Sequence, residues 1–269
     1  MKQRVLAASL LIPIVLAAIF FLPFYPFLLL IGGVIVIGAR ELFGMLKRYG
    51  MVEYRVSYLL LVLLPWMTSY APSYLFPFLL ASLLLIACWS VLNTSAVEQS
   101  FPSVAGNAMS LIYVGIPLSL AAGFHPGSPR ALEAPELPLE LLMILLTVWM
   151  GDSFAYFVGK RWGKRHITPR ISPNKSLEGF VAAILGSLVI PPLFGAYFLP
   201  NLTTSFLVAA GFFLGAGGIM GDLFESLIKR GAGIKDSSHL IPGHGGLLDR
   251  IDSILFAVPI YYLASILID

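Results

Sequence analysis

The sequence predicts an all-α fold, a polytopic transmembrane helical bundle of about nine transmembrane helices, with a cytoplasmic N-terminus. Three observations lead there. Hydrophobic residues fill 58% of the 269 positions and charged residues 12%, with a mean hydropathy of +0.88. A soluble domain of this length needs more polar surface than that. The apolar residues fall into runs of roughly 20, the length of a membrane-crossing helix, without the two-residue alternation of a membrane β-barrel. Lys and Arg gather in alternate loops, as inner loops require. With no hydrophilic stretch long enough for a second body, 1–269 reads as a single integral membrane domain, and the chemistry-bearing residues crowd its C-terminal part, about 139–269.

In chain order, Lys2 and Arg4 precede an apolar run from Val5 to Leu22. It is longer than the core of a secretory signal and has no convincing cleavage site, so it reads as an uncleaved first span with Pro13 inside it. Phe24 to about Lys47 forms the second span, carrying Arg40 and Glu41 near its inner end. Neighbours in sequence point to different helix faces, so these two serve separate partners. Val56–Tyr70 and Ser73–Leu92 are two further spans divided by Ala71 and Pro72. The single cysteine, Cys88, lies in the second of these and reads as a buried small apolar side chain.

A polar link, Asn93–Ser100, leads to a span over Val104–Phe124 that contains Gly106, Gly115 and Pro117. After the Pro-rich loop His125–Pro138 comes Leu139–Val158, with Asp152 and Tyr156 near its end. The basic connector Lys160–Ser176 follows, then spans over Leu177–Leu199 and Leu202–Ile228, and a last one from Leu248 to Ile268. With the N-terminus inside, this order leaves only Arg130 of the 17 Lys and Arg outside. The connector and the stretch before the last span then face the cytoplasm.

That second stretch is the least apolar part of the chain. Between Ser226 and Asp252 stand four Lys or Arg, three Asp and two His, with Asp222 and Glu225 just ahead. Ionisable groups at membrane depth are costly unless they pair, bind ions or line a wet cavity, which makes them functional candidates. Asp222, Glu225 and Lys229 share one helical face, and Asp249 and Asp252 share the first turn of the last span. Carboxylates on two helix ends form a plausible oxygen-ligand site for Mg²⁺; the other reading is that they cap helices or pair with Arg230 and Arg250. Lys229, Arg230, Lys235 and Arg250, with Lys175, are candidate phosphate clamps. Lys160–Arg165 reads as a contact for anionic headgroups or a topology signal.

Gly243, Gly245 and Gly246 around His244 suggest a tight loop whose backbone can approach a phosphate, or simply a turn into the last span. Gly215, Gly217, Gly218 and Gly221 lack a following Gly-Lys-Ser/Thr and read as a small-residue face for close helix packing. His239 and His244 lack the spacing of a zinc pair.

Taken together, Ser226, Lys229, Arg230, Lys235, Asp236, Pro242, His244, Gly245, Gly246, Asp249, Arg250 and Asp252 resemble the signature of the phosphatidate cytidylyltransferases, or CDP-diacylglycerol synthases. A second block is similar to another element of that family: Asp152, Ala155 and Tyr156, followed by Ser172, Pro173, Asn174, Lys175, Glu178 and Gly179. Ser176 and Leu177 stand where the family often has Thr and Trp. The resemblance implies transfer of a cytidylyl group from CTP to phosphatidate, with Mg²⁺ as cofactor, in a bacterial-type inner membrane with the site facing the cytoplasm. It implies catalytic roles for Asp222, Asp249, Lys229, Arg230, Lys235 and Asp236. Substrate binding would fall to Ser172, Asn174, Lys175, His244, Gly245, Gly246 and Arg250, and metal binding to Asp222, Asp249 and Asp252. CTP, phosphatidate and membrane lipids are the expected partners, a homodimer is allowed, and nucleic acid is not expected. The competing readings are another CTP-using lipid enzyme, such as a polyprenol kinase, and a secondary transporter, whose broken Gly/Pro-rich spans would look similar.

Overall fold

A computed structural model describes residues 2–93, 96–133, 137–240 and 245–266. Its elements are helices: α1 Lys2–Phe21, α2 Phe24–Leu46, α3 Arg55–Tyr70, α4 Leu75–Asn93, α5 Ser100–Met109, α6 Ile116–Ala122, α7 Pro129–Glu133, α8 Leu137–Trp162, α9 Leu177–Ser187, α10 Ile190–Phe198, α11 Thr204–Gly231 and α12 Leu248–Ile266. Among the described residues there is no strand; His166 and Ser176 form an isolated antiparallel bridge.

Among the described residues, six segments are long and apolar enough to cross a membrane: Phe24–Tyr49, Pro72–Asn93, Val97–Ala122, Pro138–Trp162, Leu177–Phe198 and Thr204–Gly231. The other predicted spans differ for visible reasons. At 16 residues α3 is short, α1 offers a brief apolar stretch at Ile12–Phe21, and α12 begins with Asp249, Arg250 and Asp252 in its first turns. The Val97–Ala122 segment changes pitch midway, with a π-helical turn at Ser110–Gly115. Pro117, which has no N–H to donate, follows directly. Cys88 is exposed on α4 rather than buried.

The chain forms two compact units, one of 1–138 with 231–250 and the other of 139–230 with 251–269. In the first, α2 buries Leu28, Ile35, Ala39 and Leu42 on one face, and α3 packs on α2 and α6. Lipid is as apolar as these side chains, so close packing and internal hydrogen bonds hold such helices together more than transfer from water does. Asn107 supplies one such centre. Its Oδ1 accepts from Tyr54 N at 3.0 Å and Ser57 Oγ at 2.8 Å, and its Nδ2 donates to Val52 O at 2.9 Å and Ser103 O at 2.7 Å.

In the second unit, small residues bring helices into contact, as the glycine pattern in α11 predicts. A Cβ on Gly221 would strike the carbonyl of Asp252, one on Gly217 would strike Ile260, and one on Gly215 would strike Ser187. The 163–176 connector folds back on itself. Leu177 N donates to Arg165 O at 2.7 Å and Ile167 N to Lys175 O at 3.2 Å. Ser176 caps α9, its Oγ accepting from Gly179 N at 3.1 Å, so the Ser in place of Thr keeps a working N-cap. Glu178 Oε2 accepts the backbone N–H groups of Lys164 and Arg165, tying the connector to the first turn of α9.

Candidate functional site

The second unit encloses a cavity of about 590 Å³. From α8 come Asp152, Tyr156, Gly159 and Lys160, spaced so that one helical face meets the cavity. The connector contributes His166, Ile167, Asn174 and Lys175, α9 with its cap contributes Ser176, Gly179 and Phe180, and α11 contributes Ile219, Asp222 and Leu223. The lining combines charged side chains with apolar ones, which suits a molecule with a phosphate and an apolar portion.

The charged part of the lining is organised around Asp222. Lys175 Nζ lies 2.6 Å from its Oδ2, and Ser226 Oγ donates to its Oδ1 at 3.3 Å. Asp152 feels repulsion from Asp252 and Asp222 and attraction from Lys175. Asp252 accepts from its neighbour Ser253 N at 2.7 Å and stands within reach of Glu225 and the Lys229 charge. Deeper on α11, Glu225 is fully buried, and its Oε2 accepts from Lys229 Nζ at 3.1 Å. A buried ammonium next to a buried carboxylate is needed to hold either charge away from water. Lys229 thus sits in the packed body of its helix, while its neighbour Arg230 is exposed and donates from Nε to Ile171 O at 3.2 Å.

Four carboxylates, Asp152, Asp222, Asp252 and Glu225, are matched in this group by two ammonium groups, Lys175 and Lys229. Such an excess of negative charge in a half-buried wall favours a bound cation, and an all-oxygen donor set suits a hard one such as Mg²⁺. Among the described residues, no three His, Cys, Asp or Glu side chains converge at coordination spacing. The carboxylates are spread along the wall, with Asp222 paired to Lys175 and Glu225 to Lys229.

Of the remaining motif residues, those from Lys235 to Arg250 lie in the first unit. Asp249, in the first turn of α12, accepts through Oδ2 from Ser237 N at 3.0 Å, Ser237 Oγ at 3.0 Å and Gly246 N at 2.7 Å. Gly245 adopts φ +82°, and a Cβ there would press on Asp249 Oδ2 and Asp236. The backbone therefore lies against the carboxylate where only glycine fits. Lys235, Asp236 and Arg250 are exposed. Ser172 shapes the connector turn, its N–H donating to Thr168 O and its carbonyl accepting from Lys175 N. His244 lies outside the described residues.

Four residues stand out that the sequence reading gave no part in a site, three of them at the cavity. Asp152 joins Asp222 and Asp252; its spacing to Tyr156 and Lys160, i and i+4 and i+8, was the available signal. Lys160, read as a headgroup contact, lines the cavity and sits over the Tyr156 ring, and His166 lines it too. The other residue is Glu41, whose carboxylate binds the loop before α12. No local pattern announces a partner 196 positions away.

The sequence model of the cytidylyltransferase family matches residues 2–267. A phosphatidate cytidylyltransferase of Thermotoga maritima is 32% identical over 270 residues, covering 98% of this chain and 95% of its own. One from Bacillus subtilis is 34% identical over 278 residues, covering 97% and 96%. One from Pseudomonas aeruginosa is 37% identical over 268 residues, covering 97% and 95%.

Proposed function

The chain belongs to the cytidylyltransferase family, and from that premise we propose that it transfers the cytidylyl group of CTP to phosphatidate, yielding CDP-diacylglycerol and pyrophosphate for phospholipid synthesis. The observation that carries this reading is similarity along nearly the whole chain to proteins named for that activity. The cavity, lined by both charged and apolar side chains, agrees with it.

In the proposed reaction an anionic oxygen of the phosphatidate phosphate attacks the α-phosphorus of CTP. The bond between the α-phosphorus and the bridging oxygen breaks, and its electron pair leaves with pyrophosphate. A phosphate monoester is already ionised at neutral pH, so no general base is needed, and catalysis rests on positioning and charge neutralisation. Lys175, oriented by Asp222, is the proposed phosphate contact in the cavity wall, beside Ser172 and Asn174. Arg230, Lys235 and Arg250 are the proposed exposed clamps, with Asp236 helping to set the loop. Lys229 serves by holding Glu225 and, through it, Asp252. Gly245, Gly246 and His244 are proposed to offer backbone and side-chain donors to a phosphate.

Mg²⁺ is the proposed cofactor, with carboxylate oxygens of Asp222, Asp249 and Asp252 as its candidate ligands. Bound there, it would withdraw charge from phosphate oxygens. The proposed topology has about nine crossings and a cytoplasmic N-terminus, supported by the Lys/Arg asymmetry. It sets the site on the cytoplasmic side of a bacterial inner membrane, where CTP is available.

The test is turnover. Purified protein supplied with CTP, Mg²⁺ and phosphatidate should release pyrophosphate and form CDP-diacylglycerol in equal amounts. A protein that binds these compounds but releases no pyrophosphate would refute the assignment and leave the transporter reading.

A further inference from the structure

Glu41 is 7% exposed and lies on α2. Among the described residues, its carboxylate accepts four hydrogen bonds. Oε1 accepts from Ser238 Oγ at 2.6 Å and Leu247 N at 3.0 Å. Oε2 accepts from Ser237 Oγ at 3.0 Å and Leu248 N at 2.8 Å. Two of these donors are the backbone N–H groups that open α12, and the other two are adjacent hydroxyls at the far end of the same loop. One side chain from the N-terminal part of the chain thus pulls both ends of the 237–248 loop onto α2.

The same loop fixes Asp249. Ser237 Oγ lies 3.0 Å from Glu41 Oε2 and 3.0 Å from Asp249 Oδ2, so the two carboxylates share one hydroxyl. Gly246 N donates to Asp249, and a Cβ on Gly246 would strike Ser237 Oγ and both Glu41 oxygens. Two backbone N–H groups and a hydroxyl whose one proton is shared with Glu41 hold Oδ2 of Asp249 in place, and they belong to a loop anchored on Glu41. A buried carboxylate is costly to desolvate, and here four donors compensate it. A helix contact alone would be made more cheaply by an apolar residue.

We infer that Glu41 is a positioning residue for the cytidylyl transfer: it does not meet substrate but holds Ser237 and Ser238 against the start of α12, and so fixes Asp249 and the Gly245–Gly246 backbone in working geometry. The inference rests on the function proposed above. The conservative probe is Glu41→Gln. Gln keeps the shape but replaces one acceptor oxygen with an NH₂ group. Serine hydroxyls can turn away from it; the N–H of Leu247 or Leu248 cannot, and one of them must then face a donor.

The experiment uses the full chain, purified in lipid nanodiscs, with two measurements. In Glu41→Gln, kcat should fall by a factor on the order of 10–100, as a displacement of about 1 Å in a positioned group does, while KM for CTP stays within about threefold. Hydrogen–deuterium exchange over 245–249 should rise by about tenfold or more, as expected where a local opening becomes easier. Glu41→Gln with wild-type kcat, or with lowered kcat but unchanged exchange over 245–249, overturns the inference.

If Glu41→Gln does not fold, Ser238→Ala removes one bond and leaves every charge. A several-fold loss of kcat is then expected, and wild-type kcat would overturn the inference. If the wild-type protein itself shows no CTP turnover, the proposed function fails separately. The exchange comparison still decides whether Glu41 holds the loop, and unchanged protection would overturn that.

Discussion

Lys175 Nζ meets Asp222 Oδ2 at 2.6 Å, joining the connector after α8 to the middle of the charged face of α11. Neither side chain is fully buried, at 25% and 37% exposure, so the pair adds little to stability in itself. Its value lies in aiming an ammonium group and a carboxylate into the same cavity.

Asp222→Asn should therefore lower turnover by a factor on the order of 10²–10³, the loss typical of removing one preorganised electrostatic group. The thermal midpoint should change by only a few degrees. Initial rates of pyrophosphate release at saturating CTP and several Mg²⁺ concentrations check this; a rate within a few-fold of wild type at any of them removes Asp222 from the machinery.

Asn107→Ala should act on stability. It strands the N–H of Tyr54 and the carbonyl of Val52 in a buried setting, at a cost of about 1–3 kcal/mol. Thermal unfolding followed by size-exclusion fluorescence should show a clear drop in midpoint, with kcat of the surviving protein unchanged. An unaltered midpoint would mean that another group takes over these bonds.

His125 predicts a pH dependence. Its ring is buried beneath α2, 4.4 Å from Phe27 between ring centroids. Nδ1 accepts from Gly127 N at 3.0 Å, so the other nitrogen, Nε2, donates to Leu22 O at 2.9 Å and the ring is neutral. Burial lowers its pKa, outweighing the opposing effect of the Leu22 bond. The unfolded chain then binds this proton at higher pH than the folded one. The stabilisation is complete above the ordinary value of about 6.5 and declines as pH falls from there toward the lowered folded pKa. Thermal midpoints at pH 7.5, 6.5 and 5.5 should fall more steeply in wild type than in His125→Phe; parallel slopes would contradict the assignment.

The topology is testable at two exposed positions. In a Cys88→Ala background, Arg170→Cys in the connector and Pro126→Cys in the loop after α6 should react with an impermeant thiol reagent from opposite sides of sealed vesicles. Reaction of both from the same side would refute the alternation of loops that the Lys and Arg distribution predicts.

The helical membrane architecture was legible because it depends on local quantities. Apolar runs identify helices wherever they pack, and glycines spaced along α11 imply a close neighbour whichever helix supplies it; the structure brings Asp252 and Ser187 to Gly221 and Gly215. Motif carboxylates could likewise be picked out as too costly to leave among apolar neighbours without a purpose. Cys88 shows the limit of such reasoning. Its apolar run implied burial, but a helix in lipid can leave apolar faces exposed, and Cys88 lies on one.

What the sequence determined by itself was composition-driven: an all-helical membrane protein, its family signature, and the two blocks that carry charge. Tertiary structure decided which charges meet. Asp222 and Lys229 lie two turns apart on one helix, yet Asp222 faces Lys175 from the connector while Lys229 turns inward to Glu225. Glu41 reaches Ser237 and Leu248 across most of the chain. Helical periodicity specifies the face a residue occupies, but the occupant of the opposing face depends on how distant helices pack. A carboxylate takes whatever donors that packing brings within about 3 Å.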